Sequence, residues 1–403
     1  MQLSYRLAHP AIESTEDVEA LMLVTLTAPV GTTQRRPVNL AVAIDRSGSM
    51  SGAPLAIAKA ALSQFVDQLL PTDRLTIVAF DDHATPIVAG QTATDKAALR
   101  AAINAIGTGG MTNLSAGWLM AADLVTKHAD PGTYSRIVLL SDGVANAGIT
   151  DADQLATIAT GFSGRGIPTT AIGIGSGYDD ALLALIAAQS GGNLHHLDGV
   201  DGVGILLKKE FEELIALYAQ NLTLHIAPDV NVRECVVLNG YPVSASARGL
   251  DVACGDIVMG DEKYILVRFR LGANVGTQAL TALKLGYHQV AGDVAFRELV
   301  GFVNVNRHDI VDSTPIDAIV ASHLTIVKAA TARRAAADMA DRGDISGASF
   351  LLRDAESEAR AAGLTSEADD LSSTRRALEN DVAMISKRMK SQSSSRSRYR
   401  KFS

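Results

Sequence analysis

Cysteine, aromatic side chains and long apolar runs are all scarce in this chain of 403 residues, and each shortage excludes something. Two cysteines, Cys235 and Cys254, cannot build a disulfide framework; both fall in a stretch that reads as strands, so one bridge at most is open to them. Phe, Trp and Tyr together make up 4 % of the residues, so the cores must be assembled from Ala, Val, Leu and Ile. No run of about 18 apolar residues occurs, so no membrane span is expected. The opening residues Met1-Gln2-Leu3-Ser4-Tyr5-Arg6-Leu7 show no basic segment followed by an apolar one, so no export signal is expected either. A reducing cytoplasm is the location these shortages point to. A phosphate-binding G-x-x-x-x-G-K-[ST] loop is also missing, so no ATPase of that kind is fused within the chain.

What is present is globular. Hydrophobic residues make up 47 % and charged ones 20 %, in a length that allows about two to four domains. The net charge of −8 is unevenly placed. Residues 387–403 carry seven basic groups and no acidic one, leaving 29 basic against 44 acidic residues, a balance of −15, for the rest. The Ser- and Arg-rich stretch 391–403 reads as a flexible tail on an acidic body. Binding of nucleic acid, an anionic surface or a docking partner through that tail is its functional reading, and the acidic body argues against nucleic acid.

The chemistry concentrates in three places. Residues 41–52, A-V-A-I-D-R-S-G-S-M-S-G, are an apolar run that stops at Asp45 and then presents Ser47 and Ser49 at alternate positions in a glycine-containing turn. Gly107-Thr108-Gly109-Gly110-Met111-Thr112 offers another hydroxyl in a flexible loop. Arg136-Ile137-Val138-Leu139-Leu140-Ser141-Asp142-Gly143 is a second strand ending at a carboxylate. Hard oxygen donors of this kind suit Mg²⁺ or another hard divalent ion such as Mn²⁺ or Ca²⁺. Each piece taken alone is ordinary turn chemistry; the order, spacing and strand context together make a metal site.

In that combination, D-x-S-x-S, a Thr in a glycine-rich loop and S-D-G after a strand, the stretch from about residue 37 to 217 resembles the von Willebrand factor A domain with its metal-ion-dependent adhesion site. All five family positions are filled, by Asp45, Ser47, Ser49, Thr112 and Asp142. The resemblance implies that the two Ser and the Thr hold the ion directly or through water, that the two Asp act through water, and that a partner protein's carboxylate completes the coordination. It also implies a Rossmann-like α/β fold with a mainly parallel central sheet. Neutral hydroxyls donate no charge and water-separated carboxylates offset it only partly, so the ion stays electrophilic toward an incoming acid.

The periodicities give the surrounding organisation. Strands are expected at 38–44, 75–80, 137–141 and 169–174, with an antiparallel edge strand near 85–89 and a helix from Pro54 to Leu70. Residues 222–306 turn to short β-type runs, at 222–226, 230–238, 263–271 and 279–287, spaced as in a sandwich. The early runs 3–8 and 20–28, within residues 1–36, are expected to join that sandwich, making the α/β domain an insertion in it. From 313 to 390 the pattern is helical, a hairpin plus one more helix, with Gly343 and Gly363 at the turns, Asp344 and Ser366 placed to cap, and Leu371, Leu378, Val382 and Ile385 on the third stripe.

Enzyme signatures fall short. Gly48-Ser49-Met50-Ser51-Gly52 has Met50 where a nucleophile elbow needs Ser, and a dinucleotide fingerprint at Gly173-Ile174-Gly175-Ser176-Gly177-Tyr178 would put its third glycine at Tyr178. Asp81, Asp82 and His83 read as a solvated edge turn, and His195 and His196 as the end of a strand. The expected function is therefore a non-enzymatic, metal-dependent protein-binding module, a cytoplasmic scaffold or adaptor that takes an acidic residue of its partner. Analogy to resembled bacterial proteins of this layout adds kinase, phosphatase or ATPase systems as settings. A metal-dependent hydrolase or transferase, and a nucleic-acid-associated subunit, are the alternatives.

Overall fold

In the computed structural model the described residues are all but 15–16, 32–36, 131–132, 176, 198–202, 309–314, 379–381 and 400–403. The chain divides into two compact units. One takes the N-terminal strands, Tyr218–Gln289 and everything from Asp293 on; the other takes the stretch between, up to Leu217, with Val290–Gly292.

The first unit begins with β1 (Gln2–Leu7), β2 (Ala11–Glu13) and β3 (Val18–Thr27). The second contains β4 (Val38–Asp45), α1 (Ala53–Gln68), β5 (Arg74–Phe80), β6 (Ala84–Thr92), α2 (Lys96–Asn104), α3 (Leu114–Lys127), β7 (Tyr134–Ser141), α4 (Ala152–Ser163), β8 (Thr169–Ile174), α5 (Asp180–Ser190), β9 (Leu194–Leu197) and α6 (Val203–Ile215). Its sheet has the order β6-β5-β4-β7-β8-β9, parallel throughout except for β6. Strands covered on both faces need unbroken apolar sequence, which is why β4 and β7 are buried from end to end. Small residues on one face, Ala41, Ala43 and Ala171, leave room for Trp118, Leu155 and Leu183 of the covering helices. From β4 the chain steps out to β5 and then crosses back to β7, so the C-terminal ends of β4 and β7 lie side by side, with Ile44 opposite Leu140. Open α/β sheets bind ligands at such a reversal, and here it falls between Asp45 and Asp142.

The first unit resumes with β10 (Leu217–Pro228), β11 (Val232–Val237), β12 (Val243–Ser246), β13 (Gly249–Val258), β14 (Glu262–Leu271), β15 (Gly276–Gln289) and β16 (Ala295–His308). Two sheets form, β1-β3-β14-β11 and β12-β13-β10-β15-β16-β2. β3 pairs with β14 over its whole length, from Thr27 opposite Glu262 to Val18 opposite Leu271. The α/β unit is thus an insertion between two strands of the sandwich, and the N-terminal segment feeds both sheets. Sequence periodicity missed β2, β12, β13 and β16. In β16 the outward positions are filled by Phe296, Val300 and Phe302, which hides the polar alternation. The cysteines stand in different sheets, Cys235 in β11 and Cys254 in β13, and are not joined by a disulfide. Burial pushes the Cys235 thiol up to about 12, so it stays protonated.

Four helices follow: α7 (Ala318–Asp341), α8 (Ile345–Ala361), α9 (Thr365–Leu378) and α10 (Val382–Tyr399). α7 lies on the β3–β14 sheet, where Val320 and Val327 pack with Leu23, Tyr264 and Leu266 and the His323 ring sits 4.1 Å from that of Tyr264. Asp344 caps α8 by accepting from the Gly347 amide. Ser366, expected as a cap, is instead the second residue of α9. The stripe through Leu371, Leu378, Val382 and Ile385 belongs to two helices, α9 and α10, not one. Residues 391–399, expected in a flexible tail, continue α10. That helix is anchored through buried Ile385 and Met389, one turn apart, and by Lys390 on Asp341. Among the described residues no helix is long and apolar enough to cross a membrane.

Candidate metal centre

The site grows out of the β4 terminus. Asp45 is wholly buried, and both its oxygens are engaged: Oδ1 accepts from the Ser47 amide at 2.8 Å and Oδ2 from the Ser141 hydroxyl at 2.6 Å. This pins the turn after β4 so that Ser47 and Ser49 rise on one side, their hydroxyls 3.2 Å apart. Ser49 Oγ donates to Asp142 Oδ1 at 2.7 Å. Four of the five expected residues therefore form one chain of oxygens across two strand ends.

Thr112 enters from the third loop. It immediately precedes Asn113, which caps α3 by accepting from the Ala116 amide, and its own amide donates to Asn146 Oδ1 while its carbonyl accepts from the Asn146 amide. The Thr112 hydroxyl lies 2.8 Å from where a Cβ on Gly143 would stand, so any other residue after Asp142 would push that hydroxyl aside. The loop also rests on acidic side chains: a Cβ on Gly109 or Gly110 would run into the carboxylates of Asp81 and Asp82. On the far side, a Cβ on Gly177 would stand 2.9 Å from the Asp142 carbonyl, which puts Gly177 against the site.

Burial pushes the Asp45 carboxyl above its ordinary range; hydrogen bonds from Ser141 and Ser47 oppose this, and repulsion from Asp142 adds to it. Burial raises Asp142 too, against the hydrogen bond from Ser49. Among the described residues no three His, Cys, Asp or Glu side chains gather as a metal cluster by themselves, so this donor set is one of hydroxyls and carboxylates. It is hard and anionic, and suits a hard divalent ion. Both oxygens of Asp45 already accept a hydrogen bond, which fits a carboxylate acting at one remove rather than as a direct ligand.

Sequence reasoning missed the supports. Asp81, read as part of a solvated turn, is buried; it ion-pairs with Arg46 at 2.9 Å and its carbonyl accepts from the Asn113 amide. The Arg46 carbonyl in turn accepts from the Gly109 amide. Together they clamp the Thr112 loop to the β4 and β5 ends. Asp81→Ala is expected to weaken Mg²⁺ binding about tenfold although it removes none of the five oxygens. Calorimetric titration checks this; unchanged affinity would show that the loop holds its shape unaided. His195 and His196 sit in β9, His195 on Glu210 at 2.6 Å and His196 on the Tyr178 hydroxyl at 3.0 Å.

The architecture and the three converging loops define a class. The von Willebrand factor type A domain model matches residues 39–201, and the chain belongs to the von Willebrand factor type A family. Its relatives include the uncharacterized protein sll0103 of Synechocystis, 27 % identical over 249 residues, which cover 59 % of this chain and 58 % of that protein. A UPF0353 protein of Mycolicibacterium paratuberculosis is 31 % identical over 242 residues, half of this chain and 71 % of the relative. The chain therefore spans under two thirds of the first of these relatives. The solved structure of a von Willebrand factor type A protein from Catenulispora acidiphila shares the fold over 92 % of this chain and 88 % of its own, with TM-score 0.73 and 18 % identity.

Proposed function

We propose that Asp45, Ser47, Ser49, Thr112 and Asp142 hold one divalent cation, with Mg²⁺ as the first candidate, and that the protein is a metal-dependent scaffold or adaptor taking an acidic side chain of a partner protein. The observation that supports this most is the bridge from Ser49 to Asp142 beside the Ser47 hydroxyl, which gathers donors from separate loops into one oxygen cluster. A divalent ion supplies an electrophilic centre for a carboxylate. The chain's own residues do the rest: Ser47, Ser49 and Thr112 offer neutral oxygens, Asp45 fixes the turn, and Asp142 orients Ser49. Residues placed to act as a nucleophile or general base are already committed to this network, which favours binding over turnover.

Affinity capture with the full chain in Mg²⁺ or in chelator, using wild type, Ser49→Ala and Thr112→Ala, tests the reading. The expected result is a partner retained only with metal and lost in both variants, which keep the wild-type fold. A parallel screen of phosphoesters, esters and nucleotides with Mg²⁺ or Mn²⁺ addresses the enzyme alternative. Metal-dependent turnover abolished by Asp45→Ala would overturn the binding-module assignment.

A further inference from the structure

The loops that carry the five candidate oxygens also expose apolar surface. Among the described residues of the α/β unit, the strongly exposed large apolar side chains are Leu70, Met111, Val144 and Ile205, and two of these stand at the rim of the site. Met111, 57 % exposed, immediately precedes Thr112; Val144, 56 % exposed, follows Gly143. Their loops are fastened side by side by the reciprocal hydrogen bonds between Thr112 and Asn146, at 3.1 and 3.2 Å. Leaving a methionine and a valine in water at these positions forgoes burial that either residue readily finds in a core.

Charge at the rim is already committed. In the three loops 46–52, 107–113 and 142–148 the charged side chains are Arg46 and Asp142. Arg46 is paired with Asp81, Asp142 accepts from Ser49, and the neighbouring Asp82 accepts from the Met111 amide, which adds negative rather than positive charge beside the loop. A partner with several acidic residues in a row would therefore find one place for a carboxylate and apolar surface for the others. We infer that the partner segment presents a single acidic residue flanked by apolar side chains, which pack on Met111 and Val144. This inference rests on the metal-dependent reading above. Methionine suits the role because its unbranched, polarizable side chain adapts to neighbours of different shape.

Two acetylated and amidated peptides, Gly-Gly-Asp-Gly-Gly and Gly-Leu-Asp-Leu-Gly, test it by titration into the full chain with saturating Mg²⁺, followed by NMR. The leucine-flanked peptide is expected to bind about tenfold tighter. Met111→Ser with Val144→Ser should erase that preference while Mg²⁺ affinity, measured separately by calorimetry, stays at the wild-type value. Equal binding of both peptides, or no metal-dependent binding of either, overturns the inference and leaves the metal assignment standing if Mg²⁺ still binds. A preference that survives in chelator overturns it as well, because the apolar contact would then be independent of the ion. Wild-type Mg²⁺ affinity in Asp142→Ala is the separate result that removes the metal reading beneath it.

Discussion

Replacing Asp142 by alanine is expected to lower Mg²⁺ affinity by about ten- to a hundredfold, the usual cost of losing a group that orients a metal's ligands. Asp142 is the acceptor that holds Ser49, so its removal frees a hydroxyl as well as deleting a negative charge. Calorimetric titration of Mg²⁺ and Mn²⁺ into both proteins reads the effect directly, and equal affinities would end the assignment of the five residues. The fold should tolerate the change, since Asp142 lies beyond the end of β7 and outside the sheet's apolar core. Without metal the variant and wild type should melt close together. With metal, wild type alone should gain stability, as RT ln(1 + [L]/Kd) requires.

The second large effect lies in the other unit. Deleting residues 1–30 removes β1, β2 and β3, and with them Met22, Leu23, Val24 and Leu26, all fully buried. At about 1.5–3 kcal/mol for each buried side chain, these four alone approach the whole stability of an ordinary domain. The deletion also strips β14 of the partner it pairs with from end to end. The sandwich should lose its cooperative unfolding transition and become prone to association through the exposed edge, while an isolated 37–217 segment still folds. Circular dichroism melts and hydrogen exchange distinguish these outcomes. A soluble truncated protein with the wild-type transition would contradict the insertion topology as a source of stability.

The α/β layer was legible in the sequence because its strands are buried on both faces and so read as unbroken apolar runs. Four of the candidate donors, Asp45, Ser47, Ser49 and Asp142, were legible because they sit where those runs stop, and Thr112 because its loop is rich in glycine. Asp81 was not, since its burial depends on a loop about 30 residues away folding over it, and no local pattern records that. Ser141 stood beside the recognised Asp142, yet its bond to Asp45 arises only from the neighbouring placement of β4 and β7. β16 escaped because exposed Phe296, Val300 and Phe302 occupy positions where alternation calls for polar groups. The serine-rich continuation of α10 looked unable to pay for its own ordering, but Met389 and Lys390 secure the helix upstream of it.

The insertion also imposes a timetable. Thr27 and Glu262 share a hydrogen bond across 235 residues of chain. At translation rates of roughly 5–20 residues per second, β3 leaves the ribosome on the order of ten to fifty seconds before β14 exists to receive it. Throughout that interval the strand bearing Met22, Leu23, Val24 and Leu26 has β1 on one side and nothing yet synthesised for the other. The sheet of the α/β unit, by contrast, is complete within its own span and needs no strand made after β9. Exposure of the nascent sandwich to chaperones and to neighbouring chains is therefore set by the length of the inserted unit, and every residue added to a loop of the α/β unit lengthens it.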